Sequence, residues 1–133
     1  MEIELNQTFS ASMIVDEKST AQAYGSGLLA VFATPAMIAF IENTAHLALN
    51  KYLQEGQTSV GTEVCVKHLK ATAVGKEVIC NVVMTETDKR KVVFSVEVYE
   101  DNVLIGSGTH TRFIVDINRF LLNVYPDSSK LKN

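Results

Sequence analysis

Thr34-Pro35-Ala36-Met37-Ile38-Ala39-Phe40-Ile41-Glu42-Asn43-Thr44-Ala45-His46-Leu47-Ala48-Leu49 is the stretch on which the fold turns. Threonine is a favoured N-cap and proline a favoured first helical residue, so a helix is expected to start with Thr34 as its cap. Apolar residues recur at Met37, Ile38, Ile41, Ala45, Ala48, Leu49 and Tyr52, which is helical spacing. Gly56 offers a stop, and a helix over 34–53 would run about 30 Å. Its first half is apolar nearly all round, so it is expected to be enclosed. Glu42 conflicts with that setting. Burying an unpaired carboxylate is costly, so Glu42 must be paired, hydrogen-bonded or protonated. A carboxylate held in this way is a candidate for chemistry.

On either side of the helix the period changes from 3.6 to two. Residues 8–15 read as a first strand, with Phe9, Met13 and Val15 in partial alternation. Residues 16–27 are small and polar and end in Gly25-Ser26-Gly27, so they read as a loop rather than a phosphate-binding turn. After Gly56, strict alternation puts Val60, Thr62, Val64, Val66 and His68 on one strand face and Gly61, Glu63, Cys65, Lys67 and Leu69 on the other. Further strands are expected over 77–86, 92–100 and 104–117, with turns at Gly75, at 88–90 and at Asp101-Asn102. Short turns force antiparallel pairing. A strand, a long helix and four more strands make an α+β arrangement in which one sheet wraps one helix.

The 133 residues suit a single domain over 1–125 with a polar C-terminal tail at 126–133, expected to fray. The chain is 47% hydrophobic and 20% charged with a net charge of −3, which describes an ordinary globular protein and argues against a general nucleic-acid binder. Cys65 and Cys80 lie in apolar runs without metal-ligand spacing, so both are expected to be buried free thiols. No signal sequence or membrane span is visible, and a cytoplasmic, reducing setting fits.

His68 is the first candidate for chemistry, since histidine transfers protons near neutral pH; the alternative is a core histidine bonded to a carbonyl. Glu42 and His46 share a helix face, as an ion pair rather than a metal site, because zinc needs at least three protein ligands. Thr34 could cap the helix or offer its hydroxyl to a substrate. Gly61 marks either a bulge or a place where a ligand approaches the backbone. Gly106 and Gly108 inside one strand suggest close approach of another element. His110 and Arg112 share a face there, and Arg112 could meet a carboxylate, a phosphate or a surface acid. Lys67 and Lys70, with Lys76 nearby, could meet phosphates but read rather as a solvated basic edge.

Three segments together resemble a known family. Val31-Phe32-Ala33-Thr34 leads into the Glu42 helix, Gly61-Thr62-Glu63-Val64-Cys65-Val66-Lys67-His68 follows, and Ile105-Gly106-Ser107-Gly108-Thr109-His110-Thr111-Arg112 comes last. In that order they resemble the hotdog-fold acyl-CoA thioesterases, in particular the fluoroacetyl-CoA thioesterase branch. The resemblance implies a long central helix wrapped by an antiparallel sheet of five or six strands. It implies hydrolysis of an acyl-CoA thioester by Thr34, Glu42 and His68 as catalytic set, with Gly61 and Arg112 contacting the substrate. Coenzyme A enters as part of the substrate; no metal and no separate cofactor is implied. One stretch departs. The fluoroacetyl-specific enzyme carries a longer, aromatic-bearing lid, whereas residues 20–31 hold only Tyr24. Hydrolysis of a short or compact acyl group is therefore implied without that particular specificity.

Thr34 and Glu42 are eight residues apart, about 12 Å of helical rise, so one helix cannot bring them together. A homodimer is expected, with Thr34 of one subunit and Glu42 of the other sharing a pocket; a tetramer is a further option. Two other functions fit the same residues: a non-catalytic acyl-CoA-binding hotdog domain, and a hotdog dehydratase acting on 3-hydroxyacyl thioesters.

Overall fold

The computed structural model describes residues 2–127. The order is β1 (Thr8–Ile14), a 3₁₀ turn (Glu17–Ser19), α1 (Ala21–Tyr24), α2 (Thr34–Asn50), β2 (Gln57–His68), β3 (Glu77–Asp88), β4 (Lys91–Glu100), β5 (Val103–Asp116) and α3 (Ile117–Val124). The strands form one five-stranded sheet in the order β1-β3-β4-β5-β2, antiparallel throughout. The short β3–β4 and β4–β5 connections dictate this, because Lys89 and Asp101 adopt positive φ in tight turns that return the chain directly alongside itself.

Helix α2 lies across one face of the sheet. Met37, Ile41, Ala45 and Leu49 are fully buried, and so are Val78, Cys80, Phe94 and Val98 on the strands facing them. Each large apolar side chain enclosed in this way contributes about 1.5–3 kcal/mol. Gly106 lets the helix approach: a Cβ there would sit 2.7 Å from Met37 Sδ. Of the close approaches expected from the two strand glycines, the one at Gly106 is made by α2 and the one at Gly108 by the backbone of Cys65 and Val66 on β2.

Several expectations need correction. Thr34 is the first helical residue and not the cap; Ala33 occupies the cap position in extended conformation, without a side-chain bond. The Thr34 hydroxyl is engaged elsewhere, and Pro35 leaves one fewer amide in the first turn without a partner. Residues 16–27 are not a plain loop. Asp16 and Ser19 form a capping box over the 3₁₀ turn, and the Thr20 side chain caps α1. Both helical pieces are too short for a periodic signal, although their caps are written in the sequence. Helix α3 was absent from the expected elements, despite Ile117, Phe120, Leu121 and Val124 at helical spacing. Cys65 is exposed and only Cys80 is buried; burial pushes the Cys80 thiol up to about 11, with Thr44 opposing weakly. Positions 128–133 of the expected tail lie outside the described residues. No helix of the described residues is long and apolar enough to cross a membrane.

The largest correction concerns β2. The register with β5 shifts between Gly61 and Glu63, so that Gly61 opposes Arg112 while Val64 opposes His110. Thr62 is the extra residue of a bulge, which inverts the alternation beyond it. Directly opposed residues share a face. Gly61, Val64, Val66 and His68 therefore all face the helix side, together with His110 and Arg112.

Candidate active site

Thr34 and His68 meet at the start of α2 and the end of β2. Thr34 Oγ1 lies 2.9 Å from His68 Nδ1. Phe32 sets its ring edge-on to the imidazole at 6.1 Å between centroids. The pair opens on a cleft of about 340 Å³ lined by Ala21, Val31, Ala33, Pro35, Leu69 and Lys70 among others. His68 Nε2 is buried without a hydrogen-bond partner. Burial lowers the His68 pKa below its ordinary 6.5, and the nearby Lys70 backbone, outside hydrogen-bonding geometry, opposes this weakly. The imidazole is thus held neutral, with one nitrogen oriented by a hydroxyl and the other bare. Such a group can give or take a proton at Nε2.

Glu42 lies just over two turns further along α2 and points to a different set of residues. Its Oε2 is 3.8 Å from Arg112 Nη1. A Cβ at Gly61 would come within 2.5 Å of the same oxygen. The carboxylate therefore occupies space that any side chain on residue 61 would fill, and Gly61 leaves the adjoining backbone open. The expected pairing of Glu42 with His46 is not among the ion pairs of the described residues; Arg112 takes that place. Burial of Glu42 is only partial, with 41% of its side chain exposed, so its outer face is accessible to a ligand.

Arg112 is buried, which excludes the surface ion pair left open by the sequence. Nε donates to Ser59 Oγ at 2.7 Å, and Nη2 donates to the Ser59 carbonyl at 2.9 Å. Nη1 is 3.2 Å from His110 Nε2. His110 Nδ1 lies 2.8 Å from the Glu63 carbonyl, which only accepts, so Nδ1 carries the proton and Nε2 receives the Arg112 N–H. Burial lowers the pKa of His110, partly opposed by the Glu63 carbonyl, with Arg112 adding to the lowering. Burial likewise lowers that of Arg112, while Glu42 opposes. An arginine stays cationic through such a shift.

The predicted site residues thus fall into two groups, Thr34 with His68 and Glu42 with Gly61 and Arg112. No hydrogen bond or ion pair among the described residues joins them, and His68 turns to Thr34 rather than to Glu42. Ser59 was missed because one serine on a strand carries no signal of its own. No group of three or more metal-binding side chains occurs among the described residues.

The fluoroacetyl-CoA-specific thioesterase family matches residues 15–118. The chain belongs to that family. The fluoroacetyl-CoA thioesterase of Streptantibioticus cattleyicolor is 33% identical over 90 residues, 68% of this chain and 65% of the relative; the chain spans just under two-thirds of that curated relative. A solved structure of the fluoroacetyl-CoA thioesterase FlK superposes with a TM-score of 0.90 at 26% identity, covering 96% of this chain and 98% of that one. A phenylalanine-to-alanine variant of FlK, solved in complex with fluoroacetate and CoA, superposes at 0.84 with 27% identity, covering 89% and 99%. A thioesterase superfamily member from Thermus thermophilus shares the fold at 0.87 with 21% identity, covering 97% and 96%. The fold is the hotdog fold, with five strands among the described residues. Within this thioesterase family frame, both residue groups lie inside the matched segment.

Proposed function

We propose that the protein hydrolyses an acyl-CoA thioester with a short or compact acyl group, using Thr34, His68 and Glu42 in a site shared by two subunits. The observation that carries this reading is the division of the candidate residues into two incomplete halves. One half offers a neutral imidazole with a bare nitrogen at a cleft, and the other a carboxylate beside an open backbone and a buried cation.

Strand β2 supports the dimer. It is twelve residues long and has a neighbour on one side only, and a long open edge is normally covered. Two copies of β2 paired antiparallel about a two-fold at Cys65 would set Val64 against Val66 and Glu63 against Lys67. The bulge at Thr62 then brings Gly61 of one copy opposite His68 of the other, on the same face. Without the bulge the alternation would put these two on opposite faces. Glu42 and His68 would so come together across the two-fold.

In this site Glu42 takes a proton from water as the water attacks the thioester carbonyl, or attacks the carbonyl itself to form an anhydride that water then cleaves, which restores the carboxylate. In either route the C–S bond breaks and the thiolate leaves. With Thr34 donating to Nδ1, His68 Nε2–H donates a hydrogen bond to the leaving thiolate, and the proton released from water ends on the thiolate or in solvent. Gly61 gives the ligand access to backbone, and Arg112 orients Glu42. No separate cofactor is needed.

The experiment is release of free CoA from a panel of acyl-CoAs, fluoroacetyl-CoA included, by wild type and Glu42→Ala. Turnover that disappears in Glu42→Ala supports hydrolysis. Binding without turnover would replace it with an acyl-CoA-binding role, and loss or gain of water from hydroxyacyl or enoyl substrates with a dehydratase.

A further inference from the structure

We infer that His110 and Ser59 are positioning residues: together they fix the Arg112 guanidinium so that Nη1 faces the carboxylate of Glu42. The inference rests on the reading of Glu42 as the group that acts on the thioester.

A long arginine side chain has many rotamers, and ordering it costs entropy. Here two residues remove that freedom from three directions. Ser59 accepts from Nε through its hydroxyl and from Nη2 through its carbonyl. His110 approaches the remaining terminal nitrogen, Nη1. Because Nδ1–H is committed to the Glu63 carbonyl, Nε2 presents a lone pair to Arg112 and not a competing proton. The ring is further held by stacking on Phe94 at 6.1 Å. Ser59, His110 and Arg112 are all buried, so water does not compete for these bonds. Glu42 is the half-buried member of the network. Its orientation against Gly61 therefore depends on a rigid guanidinium, whose own orientation depends on Ser59 and His110. Acid–base and nucleophilic groups tolerate little misplacement: about 1 Å can cost on the order of a hundredfold in rate.

Two variants of His110 separate this role from packing. His110→Gln puts an amide oxygen where Nε2 accepts from Arg112. His110→Asn keeps a donor toward the Glu63 carbonyl but loses the acceptor facing Arg112. With acyl-CoA hydrolysis as readout, kcat should fall roughly ten- to hundredfold in His110→Asn with KM nearly unchanged, and stay within about threefold of wild type in His110→Gln. Ser59→Ala should lower kcat in the same sense, and Ser59→Thr should restore it. Equal losses in Gln and Asn that track a fall in melting temperature would overturn the inference, as would full activity in both His110→Asn and Ser59→Ala. The Arg112 Nε–H resonance gives a second readout that needs no turnover. It should exchange slowly in wild type and be lost to exchange in Ser59→Ala; an unchanged resonance there refutes the positioning role. If wild type turns over no acyl-CoA while this resonance behaves as expected, it is the hydrolysis reading that fails.

Discussion

His68 gives one ring nitrogen to Thr34 and keeps the other bare inside the cleft. If the imidazole serves catalysis, His68→Ala should lower turnover by about 10²–10⁴-fold while the melting temperature moves little; a large loss of stability with intact kinetics would mark a core histidine instead. The lowered pKa values of His68 and His110 add a stability prediction. Well above pH 6.5 both rings are neutral, folded or unfolded, and contribute no pH dependence. As pH drops below 6.5 the unfolded chain takes up protons first, so stability declines until the folded rings titrate at their lower values. Calorimetry from pH 7.5 down to 5 should show this decline, and His110→Gln should make it shallower. At this scale much was legible. Glu42, Thr34 and His68 stand out because polar groups in apolar or capping positions need a reason. Ser59 does not, since its role exists only where Arg112 reaches it.

The strands decide which face each of these residues presents. Three glycines sit at close approaches, and each predicts a different defect. Gly61→Ala would bring a methyl against Glu42 Oε2, which can swing aside, and 3.1 Å from His110 Cε1, which is held in place. Melting should fall modestly while hydrolysis falls at least about tenfold. Gly106→Ala meets the Met37 thioether, which can shift, and should cost about 1–2 kcal/mol. Gly108→Ala collides with the backbone of Cys65 and Val66 and should cost about 3 kcal/mol or more, because backbone cannot move aside. Urea denaturation of the three variants checks the ranking. The period-two patterns of β3 to β5 were readable, because hydrophobic alternation follows directly from the pleat. The bulge at Thr62 was not. Gly61 left a bulge open as one of two readings; only the register with β5 places it at Thr62.

For the whole molecule the shared site makes a test by mixing. Thr34→Ala and Glu42→Ala subunits, each inactive alone, should regain about a quarter of wild-type activity after joint refolding, since half the dimers are mixed and one of their two sites is intact. Thr34→Ala with His68→Ala should regain nothing, because those residues belong to the same half. A site contained in one chain would show no complementation in either mixture. A two-fold at Cys65 further predicts that mild oxidation cross-links wild-type dimers through Cys65 and that Cys65→Ser abolishes the product on a non-reducing gel. By itself the sequence determined the long helix, the five strands, their antiparallel pairing across short turns and the residue types that chemistry could use, because helical and strand periods and tight turns are local consequences of side-chain placement. It also determined that Thr34 and Glu42 cannot meet on one helix, since the rise per residue is fixed. Only the tertiary structure decided that Thr34 takes His68 as its partner, that Arg112 is buried against Ser59 and His110, and that Gly61 and His68 share a face. Each of these depends on pairing between segments far apart in the chain, where a single inserted residue in one strand turns every side chain beyond it to the other face.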